Sequence, residues 1–270
     1  MSKIKCSCIL PSYKDPLSQK TIRSILDNSG LGDQLEVIQV LDGYWPEFEL
    51  IADPRVRFVH LGQNSGMRKA INAGVSVSRG EFIMRFDEHI MVGPQFDKIL
   101  TDQCHKRWIM TATRYFLDPV KWERMEIDPV NYEKLVIQDC GNGVRKFAGQ
   151  RWRSRDKERK DKMIDHTLAM QGSFWCMSRY WWDKVIGELQ NEGYGVAYQD
   201  STEMSFKTWQ AGGSLVLNKN TWYAHKHRSF SRTHQEGTKE NPWKREESWT
   251  YALKVWEDYY TNVIKPNWKI

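Results

Sequence analysis

Short apolar runs alternate with amphipathic segments along the first ninety residues of the chain. Strands are predicted at residues 4–10, 35–41, 56–61 and 81–86, which are short apolar runs bounded by polar or turn-forming residues. Helices are predicted between them at residues 18–26 and 66–77, where apolar residues recur three and four positions apart. Strands that alternate with helices predict a mostly parallel central sheet with helices on both faces.

Polar residues follow three of these strands at the point where each strand ends. Pro11 and Ser12 follow the first strand, Asp42 the second, and the segment Asp87-Glu88-His89 the fourth. Ligands of open α/β sheets bind beyond the carboxyl ends of the strands. We therefore expect these loops to converge on one ligand site.

The second half of the chain has a less regular pattern. Further elements are predicted at residues 168–177 (strand, interrupted by Gly172), 202–209 (helix), 214–217 (strand) and 244–260 (helix). The last helix carries an apolar stripe, which predicts that it packs back onto the domain. Residues 151–162 form a run of mixed charges, which is typical of a solvated loop or helix face. The alternative is a mobile lid, or a loop that binds an anionic acceptor.

Composition narrows the class of protein. The chain has 270 residues, of which 40% are hydrophobic and 27% charged, which suits one large α/β domain and excludes a disordered chain. No apolar run approaches the roughly 20 residues that span a bilayer, and the first residues lack the apolar stretch of a signal peptide. The net charge of +6 is compatible with an anionic ligand but does not by itself indicate nucleic acid.

Cysteine usage bears on the compartment. The five cysteines are scattered and include no Cys-x-x-Cys pair: Cys6, Cys8, Cys104, Cys140 and Cys176. A disulfide framework and a cysteine-ligated zinc site are therefore not expected. Reduced thiols and a cytoplasmic location are the simplest expectation.

The segment Asp87-Glu88-His89 is a candidate metal site. Residues two apart in an extended segment point to the same side, so Asp87 and His89 could hold one cation while Glu88 faces away. Such a pair at a strand end is also common in a simple capped turn. The spacing alone therefore leaves both interpretations open.

Three ordered motifs carry a resemblance to a known family. Residues 79–89 read Arg-Gly-Glu-Phe-Ile-Met-Arg-Phe-Asp-Glu-His, residues 198–213 contain Glu-Met-Ser-Phe-Lys-Thr-Trp-Gln-Ala-Gly-Gly, and residues 224–228 read Ala-His-Lys-His-Arg. Together they resemble the family-2-like nucleotide-sugar glycosyltransferases of the GT-A fold. The polypeptide N-acetylgalactosaminyltransferase branch is the most similar, because its metal motif is Asp-x-His where most GT-A enzymes have Asp-x-Asp. The resemblance spans roughly residues 5–228.

This resemblance implies a metal site. Asp87, His89 and His225 match the family's ligands for a divalent ion, with Mn²⁺ (or Mg²⁺) as the expected ion, and mixed carboxylate and imidazole ligands suit such ions. Arg228 matches an arginine near the diphosphate and is expected to add a charge-assisted contact. His227 is as readily a surface histidine as a ligand.

The resemblance also implies a donor pocket. Its expected residues are Pro11, Ser12, Tyr13, Asp42, Gly66, Arg68 and Asn72 around the nucleotide, and Gly172 under the sugar. Asp42 at the uracil edge could accept the N3–H group that cytosine lacks, which favours UDP donors. Ile71 stands where the family has an arginine, and Arg68 on the same helical face is the expected substitute. Gln171 replaces a glycine before Gly172, which implies a sugar other than N-acetylgalactosamine or a different fit.

The predicted catalytic residues are Asp200, Glu203 and Arg228. Inverting family-2 enzymes carry a catalytic aspartate at the position of Ser201 in this chain. A serine cannot deprotonate an acceptor hydroxyl without a base of its own, so retention of configuration is expected. Asp200 would then hold hydroxyl groups of the donor sugar or the acceptor.

The sequence therefore predicts a metal-dependent GT-A glycosyltransferase that moves a hexose, N-acetylhexosamine or pentose from a UDP-sugar to a hydroxyl-bearing acceptor. Residues 1–235 would form the catalytic domain and residues 236–270 a helical extension packed on it. The acceptor would be a glycan or protein hydroxyl or, alternatively, a hydroxymethylated base in phage-type DNA. A second alternative is a non-catalytic module that binds a nucleotide sugar or nucleic acid. No membrane anchor is expected, and a bacterial or viral enzyme of the cytoplasm fits best.

Overall fold

A computed structural model describes residues 3–226 and 245–270. The strands in these ranges are β1 (Cys6–Ser12), β2 (Leu35–Asp42), β3 (Val56–Leu61), β4 (Phe82–Phe86), β5 (Ile90–Val92), β6 (Trp108–Asp118), β7 (Glu123–Arg124), β8 (Glu133–Asp139), β9 (Arg145–Arg151), β10 (Ile164–His166), β11 (Phe174–Ser178) and β12 (Ser214–His225). The helices are α1 (Ser18–Asn28), α2 (Met67–Val77), α3 (Phe96–Gln103), α4 (Arg153–Glu158), α5 (Arg179–Trp181), α6 (Asp200–Gln210), α7 (Arg245–Tyr259) and α8 (Lys265–Trp268). Short π-helical turns at Trp182–Ile186 and Tyr260–Ile264 extend α5 and α7.

One large sheet organises the described part of the chain. Its strand order is β10-β12-β6-β11-β4-β1-β2-β3, and β5 pairs with β12. Strands β1, β2, β3, β4, β6 and β12 run in one direction, whereas β11 lies antiparallel between β4 and β6. The prediction of a mostly parallel sheet is confirmed. Because β1, β2, β4 and β12 point the same way, their carboxyl ends meet at one edge.

Helices cover both faces of this sheet. Cys8 and Leu10 of β1 pack with α1 and α3 on one face, while Ile9 between them packs with α2 on the other. This alternation follows from the two-residue period of a strand. Every side chain of β1 and β2 is buried as a result, as expected for a sheet that is covered on both sides.

The C-terminal helix α7 packs on the domain through the predicted apolar stripe. Its buried residues include Ala252, Leu253 and Trp256, and Tyr260 follows in the π-helical turn. The Trp256 ring stacks on Phe206 of α6 with ring centres 5.1 Å apart. The division between residues 235 and 236 lies outside the described residues and stays a prediction.

The structure differs from the predicted elements in the second half of the chain. The strand predicted at residues 168–177 begins only at Phe174, as β11. The Gly172 carbonyl accepts a hydrogen bond from the side chain of Arg85 in β4 rather than from the backbone of that strand, so the backbone ladder does not include Gly172. The region without a regular pattern contains the long strand β6 and the β8–β9 hairpin. The partner of β6 is β12, which is remote in the sequence, and the hairpin strands carry mostly polar side chains.

The charged run at residues 151–162 holds the end of β9 and the short helix α4. Most of its charged side chains are exposed, but Arg155 is half-buried against Trp152 and lies 3.2 Å from Asp165. Its role as a lid or acceptor loop stays a prediction. None of the helices in the described ranges is long and apolar enough to cross a membrane.

Candidate active site

A cavity of about 370 Å³ opens at the carboxyl ends of β1, β2, β4 and β12. The predicted site residues that line it are Pro11, Ser12, Tyr13, Asp42, Gly66, Asp87, His89 and His225. The lining also includes Arg85 and Glu88, to which the sequence analysis gave no role in ligand binding. Glu88 accepts a hydrogen bond from the backbone N–H of Tyr13 at 3.0 Å, which ties the first loop to the fourth strand end.

Asp87, His89 and His225 meet at this cavity although they are far apart in the chain. The short strand β5 pairs with the end of β12, so that Ile90 lies opposite His225. The backbone N–H of Lys226 also donates to the His89 carbonyl at 3.2 Å. Nε2 of His225 lies 3.1 Å and Nε2 of His89 3.8 Å from Oδ2 of Asp87. The candidate ligand atoms of the three residues all lie within 4.8 Å of one another.

This donor set fits a divalent cation. One carboxylate oxygen and two imidazole nitrogens suit first-row divalent ions. Asp15 strengthens the fit, because its carboxylate lies 3.0 Å from Nδ1 of His89 and accepts a hydrogen bond from Nδ1–H, which leaves Nε2 as the nitrogen directed toward Asp87. Asp15 was not among the predicted site residues, although its place as an acidic residue in the loop after the first strand was a signal for such a role.

Arg85 is the second functional residue that the sequence analysis missed. It lies in β4 two residues before Asp87, and its side chain is only 2% exposed. Its Nη2 atom lies 2.6 Å from Oδ1 of Asp87. A lone arginine in an otherwise apolar strand was the signal in the sequence, because charged residues are rarely buried without a partner.

The charge state of Asp87 follows from these neighbours. Burial acts to raise the pKa of Asp87, but the charge of Arg85 and the interactions with His225 and His89 outweigh it and hold the pKa well below its usual range. Asp87 is therefore ionised at neutral pH and offers a carboxylate to a cation.

Asp42 lines the cavity and at the same time organises the loop before α2. Its carboxylate accepts hydrogen bonds from the backbone N–H groups of Ser65 at 2.6 Å and Gly66 at 2.8 Å, and from the Asn64 side chain at 3.0 Å. Burial raises the pKa of Asp42, and the two backbone donors oppose that effect. Asp42 thus shapes the wall of the cavity in addition to facing it.

Arg68 does not line the cavity. Its fully buried guanidinium forms an ion pair with Glu203 and donates to the carbonyls of Gln190 at 2.8 Å and Tyr198 at 2.9 Å. The expected contact between Arg68 and a nucleotide therefore finds no support in the structure. The physical reason is that these buried partners already use its hydrogen-bond donors.

Asn72 and Glu203 also lie away from the cavity. The Asn72 side chain exchanges two hydrogen bonds with the backbone of Leu189, at 3.0 and 2.9 Å. Glu203 is 1% exposed, and besides Arg68 it contacts Lys207 at 2.7 Å. Both side chains fix the segment before α6 against the domain.

Asp200 and Gly172 lie together, beside the cavity rather than in its lining. A Cβ atom on Gly172 would come within 2.7 Å of Oδ2 of Asp200, so a larger residue there would force the Asp200 carboxylate to shift. Oδ2 of Asp200 is buried and has no hydrogen-bond partner among the described residues. The predicted contacts of His227 and Arg228 lie outside the described residues.

Two known proteins are similar in sequence over most of this chain. Polypeptide N-acetylgalactosaminyltransferase 4 of Caenorhabditis elegans is 22% identical over 263 residues, which cover 92% of this chain and 42% of that protein. Polypeptide N-acetylgalactosaminyltransferase 12 of Mus musculus is 23% identical over 244 residues, with coverages of 78% and 38%. The chain thus spans less than half the length of these relatives.

A solved structure and a family match complete the comparison. The crystal structure of GalNAc-T7 with UDP, GalNAc and Mn²⁺ matches with a TM-score of 0.71 over 97% of this chain and 50% of that chain, at 15% identity. A likeness at that identity shows the fold, so the predicted GT-A fold is confirmed. The family described as glycosyl transferase family 2 matches residues 7–186, well over half of the chain. The resemblance inferred from the motifs is therefore confirmed, and the chain belongs to glycosyl transferase family 2.

Proposed function

We propose that this glycosyltransferase moves a sugar from a UDP-sugar to a hydroxyl acceptor and requires a divalent cation, Mn²⁺ or Mg²⁺. The observation that carries the proposal is the meeting of Asp87, His89 and His225 at the cavity beyond the strand ends. The GalNAc-T7 structure, which contains UDP and Mn²⁺, supports the choice of nucleotide and ion by analogy of fold.

The residues of the site would divide the work between them. Oδ2 of Asp87 and Nε2 of His89 and His225 would hold the cation, while Asp15 keeps His89 in the required tautomer. The cation, when bound, supplies Lewis-acid stabilisation of the negative charge that develops on the leaving diphosphate. Arg228 is proposed to contact the same diphosphate.

The walls of the cavity would hold the nucleotide. Tyr13 lines the cavity, and its ring packs edge to face with that of Tyr44 in the loop after β2, with ring centres 5.8 Å apart. Asp42 is proposed to accept from the uracil N3–H, as an acceptor already fixed in place by Ser65 and Gly66. A preoriented acceptor of this kind favours a base that has the matching donor.

We further propose that the reaction proceeds with retention of configuration. Ser201 stands in the first turn of α6, and a serine offers no general base of its own. Within residues 3–226 and 245–270, Oδ2 of Asp200 is buried beside Gly172 and has no hydrogen-bond partner, which suits an acceptor for a sugar hydroxyl. Glu203 is proposed as a positioning residue, because Arg68 and Lys207 already engage its carboxylate.

Release of UDP from a panel of UDP-sugars, with Mn²⁺ and with a chelator, tests this function. Asp87→Ala and His225→Ala should each lower the metal-dependent rate by about 100-fold or more, since metal stabilisation is worth several kcal/mol. His105→Ala, which changes a histidine outside the cavity lining, should retain the wild-type rate. If no donor gives UDP release, the result would instead support the non-catalytic binding module. A rate of UDP release that is the same with and without the chelator would contradict the metal site.

The acceptor is proposed to be a glycan or protein hydroxyl. The net charge of +6 keeps a hydroxymethylated base in DNA as the alternative. Salt distinguishes them, because phosphate contacts make activity fall several-fold between about 50 and 200 mM salt. Activity that does not change with salt concentration would exclude the DNA acceptor.

We propose a cytoplasmic location because none of the five cysteines forms a disulfide.

A further inference from the structure

A buried arginine lies directly against the carboxylate of the proposed metal site. We propose that Arg85 is a positioning residue that limits Asp87 to ligation through one oxygen and makes the cation and the diphosphate bind as a pair. The inference rests on the proposed function, since it assumes that a cation and a nucleotide meet at Asp87.

The position of Arg85 is fixed from several sides. Its backbone lies in β4 between β1, where Ile9 is opposite, and β11, where Trp175 is opposite. Its guanidinium donates to the Gly172 carbonyl, and its Nη2 atom lies 3.1 Å from Sδ of Met67 as well as 2.6 Å from Oδ1 of Asp87. A planar guanidinium held at both ends cannot swing away from the carboxylate.

The two carboxylate oxygens of Asp87 have different contacts as a result. Oδ1 contacts Arg85, whereas Oδ2 faces Nε2 of His225 at 3.1 Å and Nε2 of His89 at 3.8 Å. Ligation through both oxygens would bring the cation to Oδ1, the oxygen that already faces the positive charge of Arg85, and the repulsion disfavours that arrangement. Arg85 therefore holds Asp87 as a ligand with one oxygen directed at the two imidazoles.

The charge of Arg85 has a second consequence. The described residues that line the cavity include one arginine, Arg85, and one lysine, Lys226. Arg85 contacts Asp87 directly, and its side chain is 2% exposed, so water screens its charge poorly. It repels a cation that arrives alone and attracts a diphosphate. With Arg85 present, the site should bind the cation weakly until the nucleotide supplies negative charge.

The affinity for Mn²⁺ alone and in the presence of UDP tests the inference without any measurement of activity. Free Mn²⁺ would be quantified by electron paramagnetic resonance for the wild type and Arg85→Met. We expect Arg85→Met to bind Mn²⁺ alone about tenfold or more tightly than the wild type, because a nearby buried charge is removed. The factor by which UDP strengthens Mn²⁺ binding should shrink by a similar amount, because the repulsion from Arg85 that the diphosphate offsets in the wild type is absent from the variant.

Two variants separate charge and position from general damage to the fold. Arg85→Lys keeps the charge, so its affinity for Mn²⁺ alone should stay within about threefold of the wild type. Arg179→Met removes another arginine that donates to backbone carbonyls, those of Val75 at 3.2 Å and Ser78 at 3.1 Å, and should change neither quantity. Arg85→Gln replaces the methionine variant if that variant does not fold.

The outcomes distinguish this inference from the function on which it rests. Weaker Mn²⁺ binding in Arg85→Met, both with and without UDP, would mean that Arg85 is only structural and would overturn the inference. Wild-type protein that binds neither Mn²⁺ nor UDP would overturn the proposed function and the inference together. Tighter binding of Mn²⁺ alone with reduced coupling supports both.

Discussion

Asp15 decides which nitrogen of His89 is directed at Asp87. It lies 74 residues before His89 in the chain, and its carboxylate is 3.0 Å from Nδ1. Asp15→Asn removes the charge that fixes this tautomer while it keeps the size of the side chain. We expect the affinity for Mn²⁺ to fall by about 10–100-fold, as for other outer carboxylates of metal-bound histidines.

The same measurement on Asp53→Asn provides the control for Asp15→Asn. Asp53 pairs with Arg55 at 3.0 Å in the loop before β3 and is not part of the cavity lining. Its removal should leave Mn²⁺ binding unchanged. An Asp15→Asn protein with wild-type affinity would show that His89 does not depend on this contact.

Gly66 supports the loop that Asp42 organises. Its φ angle is +87°, and a Cβ atom would come within 2.4 Å of Cβ of Val196. Gly66→Ala should therefore lower the free energy of unfolding by about 1–3 kcal/mol, measured by urea denaturation. Gly62→Ala in the same loop meets nothing within 4 Å and should cost almost nothing. Equal stabilities of the two variants would contradict the strain at Gly66.

At the residue scale, the sequence predicted the roles of side chains that belong to motifs. It did not predict the roles of side chains that depend on contacts with residues remote in the chain. Asp87, His89 and His225 stand in two ordered motifs, and the structure brings them together. Asp15 and Arg85 acquire their roles only through contacts with those residues, which one sequence does not reveal. Arg68 was expected at the nucleotide because its helical face is the right one, but buried partners from the segment before α6 and from α6 itself engage it.

At the element scale, β2 carries a buried carboxylate that makes stability depend on pH. Glu36 accepts hydrogen bonds from Ser7 at 2.7 Å and from the Arg79 backbone at 2.6 Å, and it contacts Arg57 at 2.9 Å. Burial acts to raise the pKa of Glu36, but these donors outweigh it and lower the pKa from its ordinary value of 4.5. The ionised form is therefore favoured by folding.

The sign of the pH effect follows from that direction. Because the pKa is lower in the folded state, Glu36 contributes stability above its ordinary pKa, and this contribution is lost as the pH falls through the lowered value. From about one pH unit above the ordinary pKa of 4.5 downward, the free energy of unfolding of the wild type should fall more steeply with falling pH than that of Glu36→Gln. Parallel pH profiles of the two proteins, measured by urea denaturation, would contradict this account.

Elements whose apolar residues recur with the period of a helix or strand were predicted well. Elements that form only through pairing with other strands were not. The helices α1 and α2 and the strands β1 to β4 agree closely with the apolar pattern. Strand β6 lies next to β12, more than ninety residues later in the chain, and the β8–β9 hairpin buries few side chains. Neither carries a period that identifies it without its neighbours.

At the scale of the whole molecule, the candidate metal site depends on the order of strands in the sheet. Asp87 and His225 are 138 residues apart, and they meet because β12 lies beside β6 and also pairs with β5. Local patterns predict strands but not their order in a sheet. The resemblance of the motifs therefore supplied the part of the site that periodicity could not, namely that His225 joins Asp87 and His89.

The C-terminal helix α7 also packs against elements that support the candidate site. Trp256 is 8% exposed, stacks on Phe206 of α6 and donates its indole N–H to the hydroxyl of Tyr194. The Tyr194 ring in turn lies 4.6 Å from the guanidinium carbon of Arg68, which holds the segment before α6. The helix is thus connected through packed side chains to the element that begins with Asp200.

Removal of this contact tests whether α7 folds with the domain. Trp256→Ala should lower the free energy of unfolding by about 3–5 kcal/mol and leave a single transition, because a large buried side chain is lost from a shared core. Trp45→Ala, at a site that is 64% exposed, should change it by less than about 0.5 kcal/mol. A second, earlier transition in wild-type protein would mean instead that α7 unfolds by itself, and α6 would then have to keep Asp200 in place without it.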